Sequence, residues 1–186
     1  MNKLKEKYKK EVAPGMMKKF GYKNIMAVPK IEKIVINSGF GKKIIGKNGQ
    51  DRKKIEDHIL KEISLITGQM PALKKAKKSI ATFKLRKGMY IGAVTTLRGK
   101  KMYDFTERLI HLTFPRMRDF RGVDPKLIDK KGNLSLGFGE HTAFPEISAE
   151  REKSIFGLEV TIVTNSKNKE QGLELLKLIG FPMKIK

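Results

Sequence analysis

Hydrophobic residues recur at helical spacing in four stretches of the chain. The first stretch predicts an amphipathic helix with a cationic outer face that ends at Gly21, with Pro29 beyond it. The second is closed by Gly68, the third stops before Pro115, and the fourth is closed by residues 180–182. The apolar positions are Leu4, Tyr8, Val12, Met16 and Phe20; Ile55, Ile59, Ile63 and Ile66; Met102, Phe105, Leu109 and Leu112; and Leu175, Leu176 and Ile179.

Runs of β-branched and alternating residues predict strands between these helices. Residues 34–36 are typical of a buried strand, and Met89–Leu97 predicts a second. Residues 134–138 alternate after a turn at residues 129–133, and residues 158–162 alternate again, before a helix start at Asn168 and Gln171 that resembles a capping box. We therefore predict one two-layer α+β domain over residues 1–186, with a largely antiparallel sheet, helices on one face and long basic loops.

A glycine-rich segment, Ser38–Gln50, predicts a flexible, exposed loop between the first strand and the second helix. Within it, residues 41–48 lie in the context of a phosphate-binding loop. However, Asn48 stands where a magnesium-binding hydroxyl is needed, and no apolar strand elsewhere ends in a suitable Asp. In the dinucleotide fingerprint, Ile44 occupies the place of the third glycine. Nucleotide hydrolysis is therefore kept only as an alternative hypothesis, while the bare backbone of the loop could approach RNA closely.

The charge balance indicates that the chain binds a polyanionic partner. The 186 residues include 41 Lys and Arg against 19 Asp and Glu, a formal net charge of +22. A compact chain of this charge repels itself, and a polyanion relieves the repulsion. Nucleic acid and an anionic membrane surface both qualify. No stretch reaches the roughly 20 apolar residues of a membrane span, and the apolar stripe of the N-terminal helix is also what a core-facing helix needs.

Acidic residues are missing from one long segment. Between Ile63 and Tyr103 there are 10 basic residues and no Asp or Glu. Within it, residues 74–88 lack a clean period and predict a protruding loop, whose Ser79, Thr82 and Phe83 could contact phosphate, sugar or base. The alternative is a solvated loop with Phe83 tucked beneath it. A second basic cluster, residues 116–122, alternates arginines with Phe120. It predicts either arginines that bind phosphates or a partner carboxylate, or a helix end whose arginines cap carbonyls.

Catalytic and metal chemistry find little support in the sequence. The chain has no cysteine, which excludes disulfides and thiolate zinc sites and fits a reducing cytoplasm. None of the three histidines, His58, His111 and His141, has metal-ligand spacing with another. No nucleophile, base and orienting group assemble from the pattern, so we expect no enzyme activity and no cofactor.

Several ordered stretches resemble one family, large-subunit ribosomal protein number five, the 5S rRNA binder, in its bacterial-type form. The resemblance runs nearly end to end. One departure is the segment from Ser38 to Asp51, which is longer and more basic than usual. The stretches that carry the resemblance are residues 30–37, 65–71, 76–80, 83–88, 95–99, 115–122 and 144–147.

The resemblance implies a curved sheet that grips 5S rRNA and helps attach it to 23S rRNA in the central protuberance of a cytoplasmic or organellar ribosome. It also implies neighbouring large-subunit 5S-binding proteins, a basic loop that reaches P-site tRNA, and a bridge to a small-subunit head protein. The rRNA-facing candidates are Lys33, Asn37, Thr67, Gln69, Thr95 and Arg98. The tRNA-facing candidates are Lys74, Lys75, Lys77, Lys78, Ser79, Lys84 and Arg86.

Overall fold

A computed structural model describes residues 3–118, 120–147 and 154–184. In those ranges the helices are α1 Lys3–Lys7, α2 Ala13–Phe20, α3 Gly41–Ile44, α4 Gly49–Thr67, α5 Gly99–Arg108, α6 Phe114–Arg116 and α7 Lys169–Ile179. Two π-helical turns, Tyr8–Val12 and Leu109–Thr113, follow α1 and α5. Short 3-10 turns are Ile25–Ala27, Ala81–Phe83, Pro125–Leu127 and His141–Ala143. The strands are β1 Ile31–Gly39, β2 Ala72–Lys75, β3 Tyr90–Leu97, β4 Leu134–Phe138 and β5 Leu158–Thr164.

The five strands form one antiparallel sheet in the order β2-β3-β1-β5-β4. β2 and β3 pair from Ala72 opposite Val94 to Lys75 opposite Tyr90, with an irregularity after Lys74. The predicted α+β fold with an antiparallel sheet is confirmed.

Alternation along the strands separates a buried side from an open side. In β1, Ile34, Ile36 and Ser38 are buried, whereas Asn37 and Gly39 are exposed. Successive strand residues point to opposite faces, so the period of two from Ile34 onward puts these buried side chains on one side. Ile31, at the start of the strand, is buried as well. β5 repeats the pattern through its buried Leu158, Val160 and Ile162. Each such side chain contributes about 1.5–3 kcal/mol when it leaves water.

The chain divides into two compact units, each with buried side chains of its own. The first comprises residues 1–34, 97–136 and 161–186, and the second comprises residues 35–96 and 137–160. In the first unit the buried side chains include Val12, Met16, Leu109 and Leu176. In the second, Phe40, Ile44, Ile59, Ile63, Ala93 and Phe156 pack in one cluster. A single domain over the whole chain stays a prediction.

The N-terminal helix contains a π-helical turn that explains its four-residue hydrophobic spacing. In an α-helix, four residues overshoot one turn by about 40°, so such a stripe drifts around the helix. The wider π-helical turn at residues 8–12 corrects that drift, and Leu4, Val12 and Met16 are all buried. Tyr8 donates a hydrogen bond to the carbonyl oxygen of Pro29 at 3.0 Å. Burial, with a smaller effect of Tyr103, raises the pKa of Tyr8 to about 12.

The third helical stretch runs through Pro115, so the predicted stop before that residue is wrong. After α5, a π-helical turn at residues 109–113 leads into α6, which ends at Arg116. Pro115 lies at the start of α6, and its ring fixes φ near the helical value of about −65°.

The prediction of a flexible, exposed loop over Ser38–Gln50 is also largely wrong. Ser38 and Gly39 belong to β1, residues 41–44 form α3, and Gly49 begins α4. The side chains of Phe40 and Ile44 are 1% and 0% exposed, because they pack in the cluster with Ile59 and Ile63. Within this segment, Phe40 and residues 45–48 lie outside helices and strands.

The turn before β4 is confirmed, but the capping box before α7 is not. The carboxylate of Asp129 accepts hydrogen bonds from the backbone N–H groups of Lys131 and Asn133, each at 2.8 Å. Burial alone would raise the pKa of Asp129, but these bonds, the side-chain amide of Asn133 and the charge of Lys131 hold it below its usual value. At α7, the Asn168 side chain makes no capping bond, and Gln171 Oε1 accepts instead from Lys167 N at 3.1 Å.

We expect Gly172→Ala to destabilise the first unit, since α7 approaches the turn at Gly132 backbone to backbone. A Cβ atom at residue 172 would lie 2.5 Å from the carbonyl oxygen of Gly132. Overpacking of this kind costs about 1–3 kcal/mol. Urea denaturation would measure the loss as a lower midpoint. The matched control is Gly49→Ala in α4, where a Cβ meets nothing within 4 Å and stability should hold or rise slightly. Equal midpoints for the two variants would contradict the expectation.

Candidate nucleic-acid interface

The basic segment that follows β2 is an ordered hairpin. Ala76 N donates to Met89 O at 2.8 Å and Gly88 N donates to Ala76 O at 3.0 Å, which continues the pairing of β2 with β3. Nearer the tip, Ile80 and Leu85 exchange two backbone bonds of 2.9 and 3.1 Å. Lys74 and Lys75 belong to β2, so the prediction of a loop from residue 74 to residue 88 is wrong for its first two residues. We call residues 76–89 the basic hairpin.

The cations of the basic hairpin point into solvent. All five of its Lys and Arg side chains are exposed, namely Lys77, Lys78, Lys84, Arg86 and Lys87. Lys84 adopts a left-handed conformation with φ 48° after the 3-10 turn, and its N–H donates to Ala81 O at 2.8 Å. Ser79 Oγ accepts from Lys87 N at 2.9 Å, which leaves its own O–H free to donate to a phosphate oxygen. Backbone hydrogen bonds hold the hairpin, while the positive charges remain available.

Two apolar side chains stand among these cations. Phe83 is 61% exposed and Ile80 is 42% exposed. The alternative in which Phe83 is tucked beneath the loop is therefore wrong. An exposed aromatic ring beside lysines is suited to stacking on an unpaired base or a sugar.

Three of the polar residues predicted to face rRNA form hydrogen bonds within the protein. Gln69 Nε2 donates to Thr95 Oγ1 at 2.7 Å and to Thr96 O at 3.0 Å. Thr95 is 4% exposed and Thr67 is 3% exposed. Thr67 Oγ1 lies within hydrogen-bond distance of Ile63 O and Gln69 O, at 2.8 and 2.9 Å. These residues fix the chain between α4 and β3, and any contribution to RNA binding would come through that positioning.

The remaining rRNA candidates are more accessible. In the second unit, Asn37 is exposed on the open side of β1. In the first unit, Lys33 is half-buried on the same strand, and Arg98 is exposed at the residue before α5. A contact of any of these residues with RNA stays a prediction.

In the second basic cluster, residues 116–122, the aromatic ring packs against the protein and the arginines are exposed. The ring of Phe120 stacks on buried Phe114, with centroids 4.7 Å apart and an interplanar angle of 9°. Arg116, Arg118 and Arg121 are exposed, and none donates to a carbonyl group of the described residues. The capping alternative is thus not supported, and the guanidinium groups face solvent. Asp119 lies outside the described residues.

Two of the histidines pack against one aromatic ring, and a lysine of the glycine-rich segment bonds within the protein. His141 is fully buried and stacks on Phe156 at 3.9 Å, and His58 meets the same ring edge-on at 6.4 Å. Lys43 donates to Ser154 Oγ at 3.0 Å and to the carbonyl of Ile155, which joins α3 to the segment before β5. Over the ranges that the structure describes, no group of His, Asp and Glu could hold a metal ion, and no helix is long and apolar enough to cross a membrane.

Sequence reasoning missed a group of residues beside the basic hairpin. Arg52 and Glu56 of α4 line a cavity with Met89 and Tyr90. The available signal was their spacing of four residues on one helix face, directly after the glycine-rich segment.

Comparison with known proteins accounts for nearly the whole chain. A family model for ribosomal protein L5 matches residues 24–86, and a second model, for the C-terminus of the same ribosomal family, matches residues 90–183. The chain belongs to the uL5 family of large-subunit ribosomal proteins. The large ribosomal subunit protein uL5 of Desulforapulum autotrophicum is 52% identical over 184 residues, which is 99% of each chain. That of Alkaliphilus oremlandii is 50% identical over 182 residues, or 98% of each, and that of Kosmotoga olearia is 51% identical over 181 residues, or 97% and 96%.

Membership of the uL5 family settles the general class of function. The chain is a structural constituent of the large ribosomal subunit and acts in translation without enzyme chemistry. This agrees with histidines packed against an aromatic ring and with a glycine-rich segment that is mostly folded.

In the uL5-family chain, we expect the Gln69–Thr95 bond to hold β3 against the end of α4. Gln69→Ala should cost about 1–2 kcal/mol, because it leaves a buried hydroxyl without its partner. A double-mutant cycle with Thr95→Val, measured by urea denaturation, should give a coupling energy of about 1 kcal/mol. Strictly additive effects would show that the bond contributes nothing. Gln50→Ala at the exposed start of α4 is the matched control.

Proposed function

We propose that this uL5-family chain binds 5S rRNA and helps attach it to 23S rRNA in the central protuberance, beside neighbouring large-subunit 5S-binding proteins. We further propose that the basic hairpin reaches P-site tRNA and that another part of the protein bridges to a small-subunit head protein. The supporting observation is the acid-free segment between residues 63 and 103, in which five of the ten cations lie on an ordered, exposed hairpin.

Electrostatics explains why such a surface suits structured RNA. Each cation that neutralises a phosphate releases a condensed counterion, so affinity rises with the number of contacts and falls with salt. Nearby carboxylates would repel the same phosphates, and residues 63–103 contain none. A surface of this kind binds through phosphates and shape, with little readout of base sequence.

For 5S rRNA, the accessible candidates are Lys33, Asn37 and Arg98. Asn37 can donate and accept hydrogen bonds, while Lys33 and Arg98 can neutralise phosphates. Thr67, Gln69 and Thr95 support this role indirectly, because their hydrogen bonds fix the residues next to Thr96.

The basic hairpin suits tRNA binding because its cations are exposed and its backbone is held by hydrogen bonds. The two backbone bonds between Ile80 and Leu85 hold its tip, and Lys84 and Arg86 flank the second of these residues. A tethered, satisfied backbone loses little conformational freedom on binding, so more of each phosphate contact appears as affinity. The exposed ring of Phe83 adds a surface for stacking.

The first test measures 5S rRNA binding across a salt series. We expect the double substitution Lys33→Gln, Arg98→Gln to weaken binding and to reduce the slope of log K against log salt by up to about two, one for each lost phosphate contact. The control is Lys126→Gln, Lys130→Gln, which removes two exposed cations of the first unit that we assign to no RNA. Equal losses for both variants, or equal binding to unrelated folded RNAs, would contradict specific recognition.

The second test concerns the basic hairpin. We expect Lys77→Gln, Lys78→Gln, Lys84→Gln, Arg86→Gln to reduce tRNA cross-linking in assembled ribosomes by about tenfold or more, because four phosphate contacts are lost. A separate substitution, Phe83→Ala, should cost less, about the value of one stacking contact. Unchanged thermal unfolding of both variants would show that the hairpin is intact. Full tRNA cross-linking by the charge-depleted variant would exclude the tRNA contact.

A further inference from the structure

Two adjoining cavities lie in the second unit, and the binding of RNA through its phosphates gives them no role. Their volumes are about 450 and 490 Å³, and Arg52 and Met89 line both. Each volume is within the range of small-molecule sites, which hold ligands of nucleotide size. The first cavity lies against the first half of α4 and the start of β3. The second lies against the basic hairpin and Gly46.

The first cavity joins an apolar wall to two carboxylates. Its apolar lining consists of Ile44, Leu73, Met89 and Tyr90, and its acids are Glu56 and Asp57. Lys75 Nζ lies 5.3 Å from the centroid of the Tyr90 ring and holds that ring beside the cavity. Burial, and then the charge of Asp57, raises the pKa of Glu56, while Arg52 opposes the shift. A flat, partly aromatic ligand with hydrogen-bond donors on one edge suits such a lining.

The second cavity is cationic and contains no acid among its lining residues. Arg52, Lys84 and Arg86 supply its charge. The Nε atom of Arg52 is buried and has no hydrogen-bond partner among the residues that the structure describes. Arg86 N donates to the sulfur of Met89 at 3.3 Å, which joins the hairpin to the residue that both cavities share. A convergent group of two guanidiniums and an ammonium favours a phosphate.

We propose that the two cavities together bind one guanine nucleotide, with its base against Glu56 and Tyr90 and its phosphate against Arg52, Lys84 and Arg86. Among the four RNA bases, only guanine presents two adjacent donors, N1–H and the N2 amino group, to a carboxylate, which accepts through two oxygens. Adenine and cytosine place an acceptor beside their amino group, and uracil flanks its single N–H with two carbonyls. The ligand is a free guanine nucleotide or a guanosine splayed out of a folded RNA. Binding of a guanosine from RNA rests on the proposed function, whereas binding of a free guanine nucleotide does not.

The direct test titrates the full-length protein with 5′-GMP, 5′-AMP and guanosine, followed by calorimetry and by chemical shifts of the Met89 methyl group. We expect GMP to bind at least about tenfold more tightly than AMP, since a paired charged hydrogen bond contributes about that factor or more. No saturable binding of GMP at millimolar concentration, together with no cross-link to the cavity in the RNA experiment below, would overturn the proposal.

Variants separate recognition of the base from recognition of the phosphate. Glu56→Gln should reduce the preference for GMP over AMP to within about twofold, because the amide has only one acceptor oxygen. Lys84→Gln, Arg86→Gln should weaken GMP and AMP alike by about fivefold or more and leave guanosine unchanged. The matched controls are Glu32→Gln and Lys61→Gln, which change exposed residues outside both cavities. A preference for GMP that survives Glu56→Gln would overturn the assignment of the base.

The source of the nucleotide is decided with 6-thioguanosine-substituted 5S and 23S rRNA, cross-linked by light and mapped by mass spectrometry. A cross-link to Met89 or Tyr90 that Glu56→Gln reduces by about fivefold or more supports a splayed guanosine. Saturable GMP binding without such a cross-link supports a free nucleotide. The 5S rRNA test changes Lys33 and Arg98, which belong to the first unit, whereas both cavities belong to the second. A failure of 5S rRNA binding is therefore distinguishable from a failure of nucleotide binding.

Discussion

Repulsion among like charges is the constraint under which this chain folds, because its net charge is +22. Surface ion pairs offset little of it. The pair between Lys19 and Glu174, at 2.6 Å with a half-exposed lysine, is of a kind that contributes about 0–1 kcal/mol. Burial must therefore carry stability, and a side chain such as Ile34 or Ile63, fully removed from water, contributes more than such a pair. The repulsion that remains is long-range and falls with salt, so a bound polyanion is the natural means of relieving it.

Backbone hydrogen bonding decides where that charge can be placed. A chain of cations in a mobile loop would lose much of its binding free energy to ordering. The basic hairpin avoids this cost, since Ala76, Ile80, Leu85 and Gly88 bond across it and Ser79 accepts from the backbone. The charged side chains between these residues need no role in holding the fold. Charge and apolar contact, including exposed Phe83, are thus concentrated on a segment that backbone hydrogen bonds hold in place.

Periodicity predicted the elements in which burial on one face sets the sequence pattern. It failed where strand pairing or packing in the core decides the structure. The stripe that ends at Gly68 and the alternation of β5 were predictable because burial on one side imposes the period. The segment after β1 was mistaken for a loop because four glycines outweighed two residues, Phe40 and Ile44, that the core buries. Lys74 was mistaken for loop because its strand is defined by pairing with Gly92, which no local pattern reveals. The π-helical turn that carries the helix past Pro115 has no sequence signature of comparable strength.

The same limit applies to the polar residues that the sequence predicts to face rRNA. A glutamine and two threonines near a basic segment are as suited to RNA as to protein, and only the partner atoms distinguish the two uses. Gln69 meets Thr95 at 2.7 Å, so its amide is committed to holding β3. Asn37, one strand away in the sheet, is exposed, and its amide can face a ligand. Charge is less ambiguous, since a buried unpaired lysine is costly and exposure follows from the residue type. Cationic candidates are therefore predictable from sequence, whereas polar ones require the structure.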